Sequence, residues 1–214
     1  YTYYPDGLLK AVTAPGGITT QMEYDIAGNQ KKLNDPSAGI VEYTYNGFGE
    51  LLTQKNARNQ TTTMTFLNDG RLQQKVTPEG TTTYTYNANK QLTNISSPGS
   101  ISRAYIYDTK GRISTITETI PGSSNFVTTF TYDNKGRLYQ IVHPSGITER
   151  NSYNAYGYLS GFGNGSTTLY TTSSVNARGQ ITSSMLGSNL QVYNSYNPYG
   201  FLTTTNAVPT NGNP

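Results

Sequence analysis

At 214 residues the chain has room for one large domain or an array of small units, but its hydrophobic content is only 34% and its charged content 13%. Its 19 Tyr and 6 Phe separate it from disordered chains, which are highly charged and poor in aromatics. The net charge of +3 comes from 15 scattered Lys and Arg with no basic cluster for nucleic acid, and the absence of Cys removes disulfides and thiolate metal sites.

Thr and Tyr favour strands, while Gly and Asn favour turns, so an all-β chain with many tight turns is expected. No apolar run approaches the length of a membrane span. The chain opens at Tyr1 inside a repeat, which implies a piece of a longer protein.

An aromatic anchor recurs along the chain, followed by Gly four residues later and Leu or Ile six later. The anchors are Tyr3, Tyr24, Tyr45, Phe66, Tyr86, Tyr107, Tyr132, Tyr153, Val175 and Tyr196, at spacings of 21, 21, 21, 20, 21, 25, 21, 22 and 21. The glycines are Gly7, Gly28, Gly49, Gly70, Gly111, Gly136, Gly157, Gly179 and Gly200, with Lys90 in the remaining unit. The aliphatic positions are Leu9, Leu51, Leu72, Leu92, Ile113, Leu138, Leu159, Ile181 and Leu202, with Gln30 as the exception. The residue after the anchor is usually Asp or Asn, as at Asp25, Asn46, Asn87, Asp108, Asp133, Asn154, Asn176 and Asn197. Asp or Asn at the first position and Gly at the fourth describe a type I turn, held by a side-chain oxygen that bonds the backbone two residues on. A catalytic carboxylate would not exchange freely with an amide, so this position reads as structural.

A second set of breakers lies between anchors. These are Pro15-Gly16-Gly17, Pro36 to Gly39, Pro78-Glu79-Gly80, Pro98-Gly99, Pro121-Gly122, Pro144-Ser145-Gly146, then Gly163-Asn164-Gly165 and Gly187-Ser188. The longest spacing places extra residues at Ile120 to Phe126, in one of these junctions. Each unit therefore reads as two antiparallel strands of roughly seven to eight residues, with Tyr on one face and Thr on the other, as in Thr81 to Tyr86. The expected fold is about ten β-hairpin repeats of about 21 residues, occupying residues 1–205 and followed by a tail at 206–214. A flat sheet of about twenty strands would be unusual. A curved, spiralling antiparallel sheet, an open partial cocoon or solenoid, is expected instead. The anchor and aliphatic residues are expected to form a ladder from unit to unit.

The units Tyr107-Asp108-Thr109-Lys110-Gly111-Arg112-Ile113 and Tyr132-Asp133-Asn134-Lys135-Gly136-Arg137-Leu138 resemble the YD repeat of the Rhs family. That family includes bacterial Rhs polymorphic toxins, the shell subunits of insecticidal toxin complexes, wall-associated proteins and teneurins. The resemblance implies a β-strip spiralling around a hollow interior, which in the toxins encloses a C-terminal effector. It also implies a secreted or cell-surface protein whose main partner is the remainder of its own polypeptide.

Catalytic, metal and cofactor sites are not expected. His143, the single histidine, precedes a turn proline and has no nucleophile-elbow or metal-ligand pattern near it. The second functional reading is a carbohydrate-binding, adhesive surface module using exposed Tyr. Copies of the chain could also associate through open sheet edges.

Overall fold

The computed structural model describes residues 1–210, and the last four residues of the expected tail, 211–214, lie outside the described residues. Twenty strands and one short 3-10 turn (Pro98–Ser100) make up the described chain. It divides into two compact units, one of Tyr1–Ala104 with Thr119–Ser124, the other of Tyr105–Glu118 with Asn125 onward.

The first unit holds β1 (Thr2–Tyr3), β2 (Leu9–Thr13), β3 (Thr19–Tyr24), β4 (Gln30–Asp35), β5 (Gly39–Tyr45), β6 (Leu51–Lys55), β7 (Thr61–Phe66), β8 (Leu72–Thr77), β9 (Gly80–Tyr86), β10 (Leu92–Ser97) and the start of β11 (Ile101–Tyr107). Each pairs antiparallel with the next, from β1–β2 to β10–β11. The second unit holds most of β12 (Ile113–Thr119), then β13 (Phe126–Tyr132), β14 (Leu138–Val142), β15 (Thr148–Tyr153), β16 (Leu159–Asn164), β17 (Thr167–Val175), β18 (Ile181–Leu186), β19 (Leu190–Tyr196) and β20 (Leu202–Pro209). It is the same kind of meander, from β12–β13 to β19–β20. The all-β hairpin-repeat architecture expected from the sequence is present in both units.

Most strands are five to seven residues long, shorter than the seven to eight expected. The turn explains the difference. The five residues Asn46 to Glu50 lie between Tyr45 and Leu51, outside both strands. Another correction concerns Gly163, expected in a junction but placed inside β16, with the turn itself at Gly165 and Ser166. A further junction, Asn56 to Gln60, carries neither Pro nor Gly. It closes with Asn59 at φ 60° and with Asn59 N–H donating to the Asn56 carbonyl at 2.9 Å.

The register shows what the repeat specifies. Tyr3 faces Leu9, Tyr24 Gln30, Tyr45 Leu51, Phe66 Leu72, Tyr86 Leu92, Tyr132 Leu138, Tyr153 Leu159, Val175 Ile181 and Tyr196 Leu202. Beyond each pair the register slips by one. Thr131, for example, faces Gln140, which leaves Tyr139 as an extra residue on the return strand. Such a bulge bends its strand and raises the local twist.

Among the described residues no hydrophobic side chain is buried; the buried positions are Gly161, Gly163, Ser183 and Ser184. Stability in each unit therefore comes from half-buried contacts repeated between neighbouring hairpins, as in other repeat arrays.

Candidate functional site

The repeated turn is the most chemically distinctive feature among the described residues, and its main chain is built the same way from unit to unit. Asp108 N–H donates to the Arg112 carbonyl at 2.8 Å, and Gly111 N–H donates to the Asp108 carbonyl at 3.0 Å. The Asp108 carboxylate then accepts from the Lys110 and Arg112 N–H groups, both at 2.9 Å. This is a type I turn followed by a left-handed residue. The nine repeat glycines take φ between 77° and 92° for that reason. Lys90 accepts the same conformation at φ 64°, and its ammonium lies 3.5 Å from Asp69 of the preceding turn.

In seven turns the closing residue is matched to the opening one. Where the opening residue is Asp, the closing one donates: Arg112 to Asp108 at 2.6 Å, Arg137 to Asp133 at 2.6 Å, and Asn29 to Asp25 at 3.0 Å. Where it is Asn and the closing residue is Glu or Gln, the closing one accepts: Glu50 from Asn46 at 2.6 Å, Gln60 from Asn56 at 3.0 Å, Gln91 from Asn87 at 3.0 Å, and Gln180 from Asn176 at 2.9 Å, whereas Asn154 and Asn197 face Tyr158 and Phe201 and bond only main-chain N–H groups. Leu67 breaks the rule because it can bond nothing, and Arg71 turns to Asp69 instead, at 2.7 Å.

The anchor hydroxyls tie each hairpin to the one before. Tyr24 donates to the Leu9 carbonyl (3.0 Å), Tyr45 to Gln30 (2.8 Å), Tyr86 to Leu72 (2.8 Å), Tyr132 to Ile113 (2.8 Å), Tyr153 to Leu138 (2.8 Å) and Tyr196 to Ile181 (3.0 Å). The acceptor is always the main chain of the residue six positions after the preceding anchor. Phe66 and Val175 have no hydroxyl, and Tyr3 is exposed. Tyr107 is half-buried, and its hydroxyl pKa is raised by burial first and by Tyr105 second. Burial likewise raises Tyr45, with smaller effects from Tyr43 and Asp25.

Three closing arginines also cover the next anchor ring: Arg71 over Tyr86 at 4.4 Å, Arg112 over Tyr132 at 3.9 Å and Arg137 over Tyr153 at 4.2 Å. Each arginine thus joins a carboxylate of its own turn to a ring of the next hairpin. The closing side chains reach the next turn as well. A Cβ on Gly136 would lie 3.3 Å from Arg112, one on Gly70 2.9 Å from Glu50, and one on Gly200 3.5 Å from Gln180. Gln180 donates to the Gly200 carbonyl at 2.7 Å.

This contact makes the glycines unequal. Gly136→Ala meets both the left-handed backbone and the Arg112 guanidinium, whereas Gly179→Ala, with nothing within 4 Å, meets only the backbone strain. Thermal denaturation is expected to show a loss of about 1 kcal/mol for Gly179→Ala, and a larger one for Gly136→Ala. Equal losses would mean the turns are not stacked as described.

The carboxylates report the same pairing. Asp69 is held down to about 2, first by its hydrogen bonds from Arg71, against burial, with help from the Arg71 and Lys90 charges. Asp108 is lowered first by the Arg112 side chain and Asp25 first by Asn29, while Asp35 is lowered first by the Ala38 N–H. For Asp133 burial pushes upward most strongly, but the combined hydrogen bonds from Arg137 and Lys135 outweigh it. Lowered carboxyl pKa values stabilise the fold above the ordinary carboxylate pKa, and that stability is lost as pH falls through the folded values. Urea denaturation across pH is therefore expected to be level down to about pH 4 and to fall between about pH 4 and 2. Asp69→Asn should make the fall shallower. A decline beginning near pH 6 would point elsewhere.

His143 lies 3.8 Å from Glu149 with both side chains exposed, and no cluster of three or more His, Asp or Glu that could hold a metal occurs among the described residues. The arrangement binds hairpin to hairpin, and no nucleophile, base and acceptor converge in it.

Comparison with curated proteins finds no match. Among solved structures, the chain is similar in fold to the Photorhabdus luminescens Tc holotoxin pore carrying a TccC3 variant, at TM-score 0.80 and 17% identity, over 96% of this chain and 12% of that one. It is similar also to the TcdB2-TccC3-TEV structure, at TM-score 0.61 and 17% identity over 98% of this chain and 14% of that one. TcdB2-TccC3-Cdc42 gives TM-score 0.59 and 17% identity over 94% and 14%. The chain thus spans about an eighth of the length of these neighbours. The Teneurin YD-shell family description matches residues 10–210, and with its hairpins, turn glycines and anchor tyrosines in register along that span, the chain belongs to the Teneurin YD-shell family.

Proposed function

We propose that the chain is a structural wall segment of a secreted or cell-surface bacterial protein, forming part of a hollow β-shell that encloses or displays a further part of the same polypeptide. One observation carries this reading: the same phenol-to-carbonyl tie recurs from hairpin to hairpin, at Tyr24, Tyr45, Tyr86, Tyr132, Tyr153 and Tyr196. A binding or catalytic site is a local cluster; a wall is an interaction repeated at every seam. The bulge beside each anchor supports a curling strip, since each one bends its strand in the same place. The likeness in fold to Tc toxin components supports the shell and a place outside the producing cell. No helix among the described residues is long and apolar enough to cross a membrane. In this reading residues 1–205 are one array, its partners are further repeats and a core or effector domain of the same polypeptide, and no reaction is assigned to it.

The test is protease protection. In the complete polypeptide, the segment enclosed by the array should resist trypsin while the array is folded, and Tyr132→Ala should expose it. Equal cleavage of that segment with the array present and deleted would overturn the reading.

A carbohydrate-binding surface is the second reading, favoured by the exposed rings at the turn tips, Phe48, Tyr156 and Tyr199. The anchor tyrosines tied to the preceding hairpin have their hydroxyls engaged, so sugars would use exposed rings such as those at the tips. Glycan-array binding that is lost on changing Tyr156 and Tyr199 together would support it.

A further inference from the structure

One seam in the second unit lacks its ring. The hairpin anchored at Val175 follows the hairpin anchored at Tyr153, and Val175 stands where a phenol stands elsewhere. Four observations coincide. The Leu159 carbonyl, which by position should receive an anchor hydroxyl, has no side-chain donor among the described residues, whereas the equivalent Leu138 carbonyl accepts from Tyr153 at 2.8 Å. Leu159 and Val175 are 50% and 53% exposed. Tyr158, in the place of the arginine that covers the next ring in other hairpins, is 72% exposed. Finally, nothing lies within 4 Å of a Cβ on Gly179, while Gly157 and Gly200 on either side are both approached by arginines, at 3.7 and 3.2 Å. The seam at Phe66 differs, because the half-buried Phe66 ring is kept and only the hydroxyl is missing.

We propose that this gap is a docking slot for a tyrosine side chain presented by an extended segment of a partner polypeptide. The chain's own repeats define the occupant. A phenol ring lying on Leu159 and Val175, covered by Tyr158 and donating one hydrogen bond to the Leu159 carbonyl, would repeat the arrangement at the other seams. A sugar ring suits the slot poorly, because its several hydroxyls would face Leu159, Val175 and the Tyr158 ring, which offer them few partners. The slot stands on the geometry of this seam alone and is independent of the shell reading.

The probe is N-acetyl-tyrosinamide, titrated into the full chain while the Leu159, Val175 and Ile181 methyl resonances are followed. Saturable shifts confined to these methyls are expected. Binding of N-acetyl-phenylalaninamide should be about fivefold weaker, the net value of one hydrogen bond. Val175→Tyr should fill the slot from within, raising the melting temperature and abolishing binding. Tyr158→Ala should weaken binding without unfolding the chain, which keeps the test open if Val175→Tyr folds poorly. Absence of saturable shifts in the unmodified chain would overturn the proposal. So would equal shifts from methyl glucoside, or binding that survives Val175→Tyr.

Discussion

Gly163→Ala is expected to lower stability by about 3 kcal/mol, the upper end of an overpacking penalty, which corresponds to a melting temperature roughly 10 °C lower. Gly163 sits in β16 opposite Thr168, and the register slips there because Leu169 is an extra residue on β17. The slip brings main chain close to Gly163: a Cβ would run into the Thr167 carbonyl and lie 3.1 Å from the Thr168 Cα. These are backbone atoms of a paired strand, so no rotamer change relieves the clash, and the β16–β17 ladder must open. Gly165→Asn is the control. Gly165 has φ 58° and nothing within 4 Å, and Asn tolerates that conformation. A Gly163→Ala protein that melts with the Gly165→Asn control would contradict the close strand approach.

Tyr132→Ala should cost about 2–3 kcal/mol, somewhat less than a fully buried aromatic would. The ring is half-buried, lies under Arg112 at 3.9 Å, faces Leu138 across the hairpin and donates to the Ile113 carbonyl at 2.8 Å. Tyr132→Phe removes only the last of these and should cost about 1 kcal/mol. Tyr156→Ala, at an exposed turn tip, should stay within about 0.5 kcal/mol of the parent. Urea denaturation of the three variants checks the order. If Tyr156→Ala matched Tyr132→Ala, the anchors would not be what joins the hairpins.

The fold was legible because its signal is repeated. A single Tyr-Asp-x-x-Gly-Arg-Leu is weak, but ten units in register leave little room for another architecture. The type I turn was legible from Asp108 and Gly111 alone, since few residues serve those two backbone positions. What escaped was side-chain pairing, both within a turn and between units. The pairing of Asp with Arg or Asn, and of Asn with Glu or Gln, is written at positions 108 and 112, 133 and 137, 46 and 50, and 176 and 180. It becomes visible only once the closing residue is known to face the opening one. The use of Tyr over Phe at the anchors is likewise a statement about a carbonyl in the preceding hairpin. Junction Asn56 to Gln60 was missed because Asn59 takes the left-handed position without Gly. Gly163 was misplaced because its reason is a neighbouring strand, not a turn.

A cryo-EM structure of the complete polypeptide in which these residues occur tests the wall reading most directly. The expected result is that residues 1–205 form consecutive rungs of one continuous strip lining a closed lumen, with density from the same polypeptide inside. Strands packed face to face against a second sheet, with no lumen, would contradict it.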